Sequence, residues 1–232
     1  MDQPKKVVTA KVIILMLFFI VIIPFLPLLI SQRWNWWEAW VYFIISVLGF
    51  AISRLLARKR NPGLLTERAR FLQHDDAKPW DKILSPLVGI GGGLIPLVAA
   101  LDAAFNWTPL FSVSVKIAGL ILLIAGYVLA SYALIENCFF SGMVRIQTDR
   151  GHKVVSSGPY RWMRHPGYAG GLISYLGTPL LLDSFWAFLP VIFLAIVLVI
   201  RTRLEDETLQ NELEGYREYA QRVKFRLIPW IW

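Results

Sequence analysis

Six stretches of almost unbroken apolar side chains alternate with polar segments along the chain: Val7 to Ile30, Trp40 to Ala57, Ile83 to Phe105, Phe111 to Phe140, Gly167 to Leu182 and Phe185 to Ile200. A helix crosses the ~30 Å hydrocarbon layer in about 20 residues. The first four runs approach or exceed that length, and Phe111 to Phe140 leaves room for tilt or extension beyond the bilayer. The last two are shorter and only Asp183 and Ser184 separate them, which predicts a helical hairpin. The first run is too long for a signal-peptide core and no small-x-small cleavage site follows it, so it is expected to remain as a membrane anchor. The pattern predicts an all-α, polytopic membrane protein of six spans, with five as the alternative. It forms one domain over residues 1–232, with a four-span part to residue 140 and a chemistry-bearing part from 141 onward.

Composition supports this: 56% of residues are hydrophobic and 17% charged, against about 25% charged in soluble domains. The net charge of +8 would suit a nucleic-acid binder, but its placement argues otherwise. With a cytoplasmic N-terminus, 22 of the 24 Lys and Arg fall in inner segments, leaving Arg33 and Lys116 outside. The positive-inside rule then favours an even number of spans with both termini cytoplasmic. Trp34, Trp36, Trp37, Trp40, Trp80, Trp107, Trp186, Trp230 and Trp232 flank the runs, where their rings suit the headgroup zone. The basic surplus faces the anionic inner leaflet, so membrane lipids and not nucleic acid are the expected partners. A single Cys138 excludes an intrachain disulfide, and no clustered Cys or His offers a zinc site, so no metal is expected.

Three polar segments remain for chemistry. In Arg58 to Lys82, Leu64, Leu65, Ala69 and Leu72 recur at near-helical spacing among charges, and a membrane-surface linker is the plain reading. Ser141 to Gly171 is too polar for lipid and holds two of the three histidines, His152 and His165, the third being His74. Within it, Pro166 can open a helix whose free amides face an anion beside Arg164 and His165. Arg161 and Arg164 also read as positive-inside anchors, and Gly170, Gly171 and Gly177 first as close helix packing. In the third segment Arg201 and Glu205 share a helical face at the cytoplasmic mouth. Beyond them Leu209, Leu213, Tyr216, Ala220 and Val223 form an apolar stripe that should dock, and Ile228, Trp230, Ile231 and Trp232 return the tail to the interface. The glycines between Gly89 and Gly93 lie inside an apolar run with no preceding strand, so they read as helix packing and not as a phosphate loop.

The order His152-x-Val154-Val155-x-x-Gly158-Pro159-Tyr160, then Arg164-His165-Pro166-Gly167-Tyr168-Ala169-Gly170, a hydrophobic hairpin, Arg201-x-x-x-Glu205-Asp206, and Tyr216-x-x-Tyr219 before Leu227-Ile228-Pro229 resembles the isoprenylcysteine carboxyl methyltransferase family. The likeness covers Ser141 to Trp232 and, more weakly, Arg60 to Arg68. It implies integral-membrane methyl transfer from S-adenosylmethionine, with the cofactor near the cytoplasmic surface and a lipophilic or prenylated acceptor arriving from the bilayer. His152, Val155, Gly158, Tyr160, His165, Pro166, Tyr168 and Gly170 correspond to the cofactor stretch, Glu205 to the carboxylate that closes it, and Arg201 to an arginine near the acceptor. Asp206 stands where the family has a second glutamate, which leaves its cofactor role open.

S-adenosylmethionine is an activated donor, so the protein chiefly aligns donor and nucleophile and excludes water. A carboxylate acceptor is already ionised and needs no strong base, and an arginine can hold it. An amine acceptor, as in related phospholipid methyltransferases, would require a base such as Glu205, Asp206 or Glu136. Membrane sterol reductases, which use NADPH, resemble the same C-terminal pattern, although the acidic Glu205-Asp206 pair suits a 2′-phosphate poorly. A transporter is disfavoured because charges within the spans are few, and Glu136 and Lys116 both lie near an end of the fourth.

Overall fold

The computed structural model describes residues 10–70 and 75–232; Lys5, Lys6, Leu72 and His74 lie outside the described residues, as does the start of the first apolar run. Among the described residues the only regular structure is helical, with no strand. The first span joins α1 (Ala10–Leu17), a π turn at Phe18–Ile22 and α2 (Ile23–Ser31). The π turn lies just ahead of Pro24 and Pro27, whose rings remove backbone donors and disturb the regular ladder. There follow α3 (Trp37–Arg60), the short α4 (Leu64–Ala69), α5 (Asp81–Phe105), α6 (Val113–Glu136), α7 (Pro166–Leu181), α8 (Phe188–Glu212) and α9 (Tyr216–Arg222).

Among the described residues, four helices are long and apolar enough to cross a membrane: Val12–Ser31, Trp37–Arg60, Asp81–Phe105 and Val113–Glu136. They match the first four predicted runs, with one correction. The fourth run does not stay helical to Phe140, because Asn137 turns the chain and its Oδ1 accepts the Phe139 amide at 2.8 Å. The sixth run extends instead, with α8 continuing to Glu212. The apolar stripe beyond it is two helices, broken at Gly215, whose φ of 78° suits a residue without Cβ. That stripe does dock: Leu213, Tyr216 and Tyr219 pack with Ala133 and Tyr160, flanked by Leu209, Ala220 and Val223.

The antiparallel pair α6 and α7 makes the closest contact. A Cβ on Gly170 would lie 2.5 Å from the Ala130 amide nitrogen, and one on Gly177 the same distance from the Gly119 carbonyl. Without side chains there, the backbones approach as small residues allow in membranes. Gly171 differs, since its nearest neighbour is the Tyr175 ring at 3.7 Å. The glycines of α5 also serve packing, Gly91 against Leu194, Gly92 against Tyr175 and Gly93 against Ile23. Outward stripes such as Ile117, Ile121, Ile124 and Val128 on α6 stay exposed, as a lipid-facing surface requires.

One end of the bundle is closed by polar groups. Lys116 pairs with Glu38 and, at 2.7 Å, with Asp183 in the turn between α7 and α8. Asp102 accepts the Thr108 amide at 2.8 Å and the hydroxyls of Thr108 and Ser184 at 2.7 Å each. The turn after α7 therefore sits level with the start of α6. We expect Gly170→Ala to destabilise the protein by about 1–3 kcal/mol through overpacking and Gly171→Ala to be close to neutral, as read from melting temperatures in detergent.

Candidate functional site

At the opposite end, where α6 stops, α7 begins and α8 leaves the bundle, a cleft of about 790 Å³ including its open mouth is lined by three stretches of chain. The loop after α6 supplies Phe139, Phe140, Arg145, His152 and Val155; the turn into α7 supplies Tyr160, His165, Gly167 and Tyr168; and α8 with the segment beyond it supplies Arg201, Glu205, Tyr216 and Tyr219.

The wall after α6 is held by polar contacts. Buried Gln147 donates to the Phe139 carbonyl at 2.6 Å, and its amide donates to His152 Nδ1 at 3.3 Å. The His152 ring lies against Phe139 with centroids 4.5 Å apart. Burial, together with Arg145 and Arg150, pushes His152 down to about 4, so it is neutral near pH 7. Arg145 bridges Glu67 at 2.9 Å, Asp76 at 2.8 Å and Asp149 at 2.9 Å. Burial alone would lower its pKa, but the hydrogen bonds it donates to these carboxylates raise it. The segment expected to be a surface linker thus also braces the cleft loop, through Glu67 and Asp76.

The floor belongs to α7 and α8. Tyr168 Oη donates to Glu205 Oε2 at 2.5 Å, His165 Nδ1 lies 4.0 Å from the same oxygen, and the His165 and Tyr168 rings lie parallel with centroids 5.8 Å apart. The Arg201 guanidinium sits 5.2 Å from the Tyr168 ring centre and is gripped by Asp81, with Nε donating to Oδ1 at 2.7 Å and Nη2 to Oδ2 at 2.9 Å. The cluster of free amides expected at the start of α7 reduces to Gly167, because the amides of Tyr168 and Ala169 are taken by the His165 carbonyl at 3.1 Å.

Of the predicted residues, His152, Val155, Tyr160, His165, Tyr168, Arg201 and Glu205 meet in this cleft, whereas Gly158, Pro166, Gly170 and Asp206 do not line it. Pro166 opens α7 and Gly170 faces α6. Gly158, at φ 56°, packs on Glu136, which is held by Arg60 at 3.0 Å and Ser157 at 2.5 Å and also lies away from the cleft. Asp206 is fully buried beneath the floor. It accepts from Arg164 Nε at 2.7 Å, Arg226 Nε at 3.0 Å and Tyr216 Oη at 3.1 Å, with His165 Nε2 at 3.3 Å. Burial would raise its pKa, but His165 and Arg164 together hold it well below the usual carboxylate range. The same junction ties in the tail, since the amides of Arg164 and His165 donate to the carbonyls of Phe225 and Arg226, each at 2.9 Å. Sequence reasoning missed Asp81, Glu67 and Asp76; the available signal was acid placed within an otherwise basic inner segment.

The family model described as Isoprenylcysteine carboxyl methyltransferase (ICMT) family matches residues 118–211. A probable protein-S-isoprenylcysteine O-methyltransferase of Oryza sativa subsp. indica is 34% identical over 117 residues, 47% of this chain and 59% of the rice protein. The Delta(14)-sterol reductase TM7SF2 of Mus musculus is 33% identical over 95 residues, 40% of this chain and 23% of that protein. The uncharacterized protein YpbQ of Bacillus subtilis (strain 168) is 43% identical over 62 residues, 26% of this chain and 37% of that protein. The chain therefore spans less than two thirds of the rice relative, and the matched region includes α7 and the cleft loop but not α1 to α5.

Two outcomes follow from the buried groups. Asp206→Ala leaves Arg164 buried without its carboxylate and should cost about 3–5 kcal/mol in a thermal melt. Because folded His152 titrates near 4 and the unfolded ring near 6.5, the unfolded chain binds that proton more readily. Stability should fall as pH drops through this window, and His152→Gln should remove that part of the slope in melts run across it.

Proposed function

We propose, from the match of residues 118–211 to the isoprenylcysteine carboxyl methyltransferase family model, that this protein is an integral-membrane methyltransferase that uses S-adenosylmethionine to esterify a carboxylate on a lipophilic acceptor. The observation that carries the reading is the cleft floor, where one helix presents a carboxylate, Glu205, and a guanidinium, Arg201, four residues apart. A cationic donor and an anionic acceptor require one group of each sign in one enclosed space.

The lining fits the donor. Phe139, Tyr160 and Tyr168 offer aromatic faces to a sulfonium, and Glu205 is a carboxylate open to the cleft. Bound S-adenosylmethionine supplies a methyl group already activated by the positive sulfur. Glu205, oriented by Tyr168, would hold its ribose or amino group, while His165 and the Gly167 amide would meet the polar tail. Arg201 would position the acceptor carboxylate toward that donor. Neutral His152 and the aromatic walls exclude water. Gly158, Pro166, Gly170 and Asp206 shape the cleft from behind and do not touch the cofactor.

In this reading α7 and α8 complete six crossings. Their turn sits level with Lys116, and Leu189, Ile192, Ile196 and Val199 leave an apolar stripe exposed along α8. The cleft, the basic segments and both termini then face the cytoplasm of a bacterial cell, with residues 1–140 as the four-span part and 141–232 as the cofactor-binding and catalytic part. The acceptor is a prenylated cysteine or a smaller lipid with a free carboxylate. Calorimetry on detergent-purified protein tests this. S-adenosylmethionine and S-adenosylhomocysteine are expected to bind and NADPH not to, with His165→Ala or Glu205→Ala weakening the adenosyl ligands about tenfold or more. Binding of NADPH alone would favour a reductase, as the mouse relative's name suggests for that protein, and would overturn the proposal.

A further inference from the structure

Arg201 and Glu205 stand at i and i+4 on one helix, the spacing at which opposite charges ordinarily pair, yet no ion pair forms between them. What intervenes is Asp81, the first residue of α5, which comes from the part of the chain outside the family match. Its carboxylate is fully buried and accepts Arg201 Nε and Nη2 at 2.7 and 2.9 Å, with the Val144 amide donating to Oδ2 at 2.6 Å. Nη2 also donates to the Gly142 carbonyl at 3.1 Å, and the Tyr168 ring covers one face of the guanidinium. Nη1 alone of the three nitrogens has no hydrogen bond among the described residues.

The geometry points to Asp81 as a positioning residue that keeps Arg201 away from Glu205 and presents Nη1 to the acceptor carboxylate. The inference rests on the proposed acceptor role of Arg201 and deepens it. A guanidinium free to swing would pair with Glu205, and the two charges of the floor would cancel. Held by Asp81, it can hydrogen-bond an incoming carboxylate from one end, leaving an oxygen lone pair free for the methyl carbon. The site therefore selects a lipophilic monocarboxylate over its uncharged ester.

The test compares binding of S-farnesylcysteine free acid with its methyl ester, measured by calorimetry on monodisperse protein in detergent. Wild type should bind the acid about tenfold tighter. Asp81→Asn should bring the ratio close to one, and adding Glu205→Gln, which removes the competing carboxylate, should restore part of the preference. An undiminished preference in Asp81→Asn would overturn the inference, as would a loss that Glu205→Gln does not recover, since that is the signature of a merely structural role. A wild type that does not prefer the acid would instead remove the acceptor role of Arg201 on which the inference stands. Should Asp81→Asn fail to melt cooperatively, Asp81→Glu, which displaces the carboxylate by one methylene, is read in the same way: a reduced ratio supports the inference and an unchanged ratio overturns it.

Discussion

A carboxylate cut off from water must be neutralised by its neighbours, because the cost of leaving it bare exceeds what most other contacts contribute. Two such groups, Asp81 and Asp206, have no exposed surface and stand on either side of the cleft. Asp81 recruits Arg201 from α8 and the backbone of the loop after α6. Asp206 recruits Arg164 from the turn before α7 and Arg226 from the tail. Segments distant in sequence are thereby pinned to α8, and the cleft is the space left between them.

The membrane part sets the height at which this happens. Because Gly119, Gly126, Gly170 and Gly177 carry no side chains, α6 and α7 lie almost backbone to backbone. Lys116 fixes the far end of α7 through Asp183. With both the lateral spacing and the far end determined, His165 and Tyr168 at the near end of α7 come to rest above Glu205. The enclosing walls are equally dependent on distant partners, since Arg145 draws Glu67 and Asp76 across to the cleft loop.

This arrangement accounts for a floor bearing two opposite charges that do not annul each other. Tyr168 donates to Glu205, Asp81 holds Arg201, and each charge is left able to meet a ligand of the opposite sign. In the proposed methyl transfer the same separation keeps a cationic donor and an anionic acceptor side by side. The third span, outside the family match, contributes to it directly through Asp81.

The apolar runs by themselves determined the helical class, the four long spans and the position of the turn at Asp183, because hydrocarbon thickness and backbone hydrogen bonding leave few alternatives. The order of motifs from His152 to Glu205 likewise singled out seven of the residues that line the cleft. Only the tertiary structure decided which neighbours in sequence part company. Glu205 faces the cleft while Asp206, the next residue, points beneath it, and Gly170 lies in a helix contact although it belongs to the same motif as Tyr168. It also decided that Phe139 and Phe140 leave the fourth helix to form a wall, and that Asp81 meets Arg201 across 120 positions of chain. Such pairings are set by burial and by where each backbone exits the membrane, and a one-dimensional pattern of residue types carries neither.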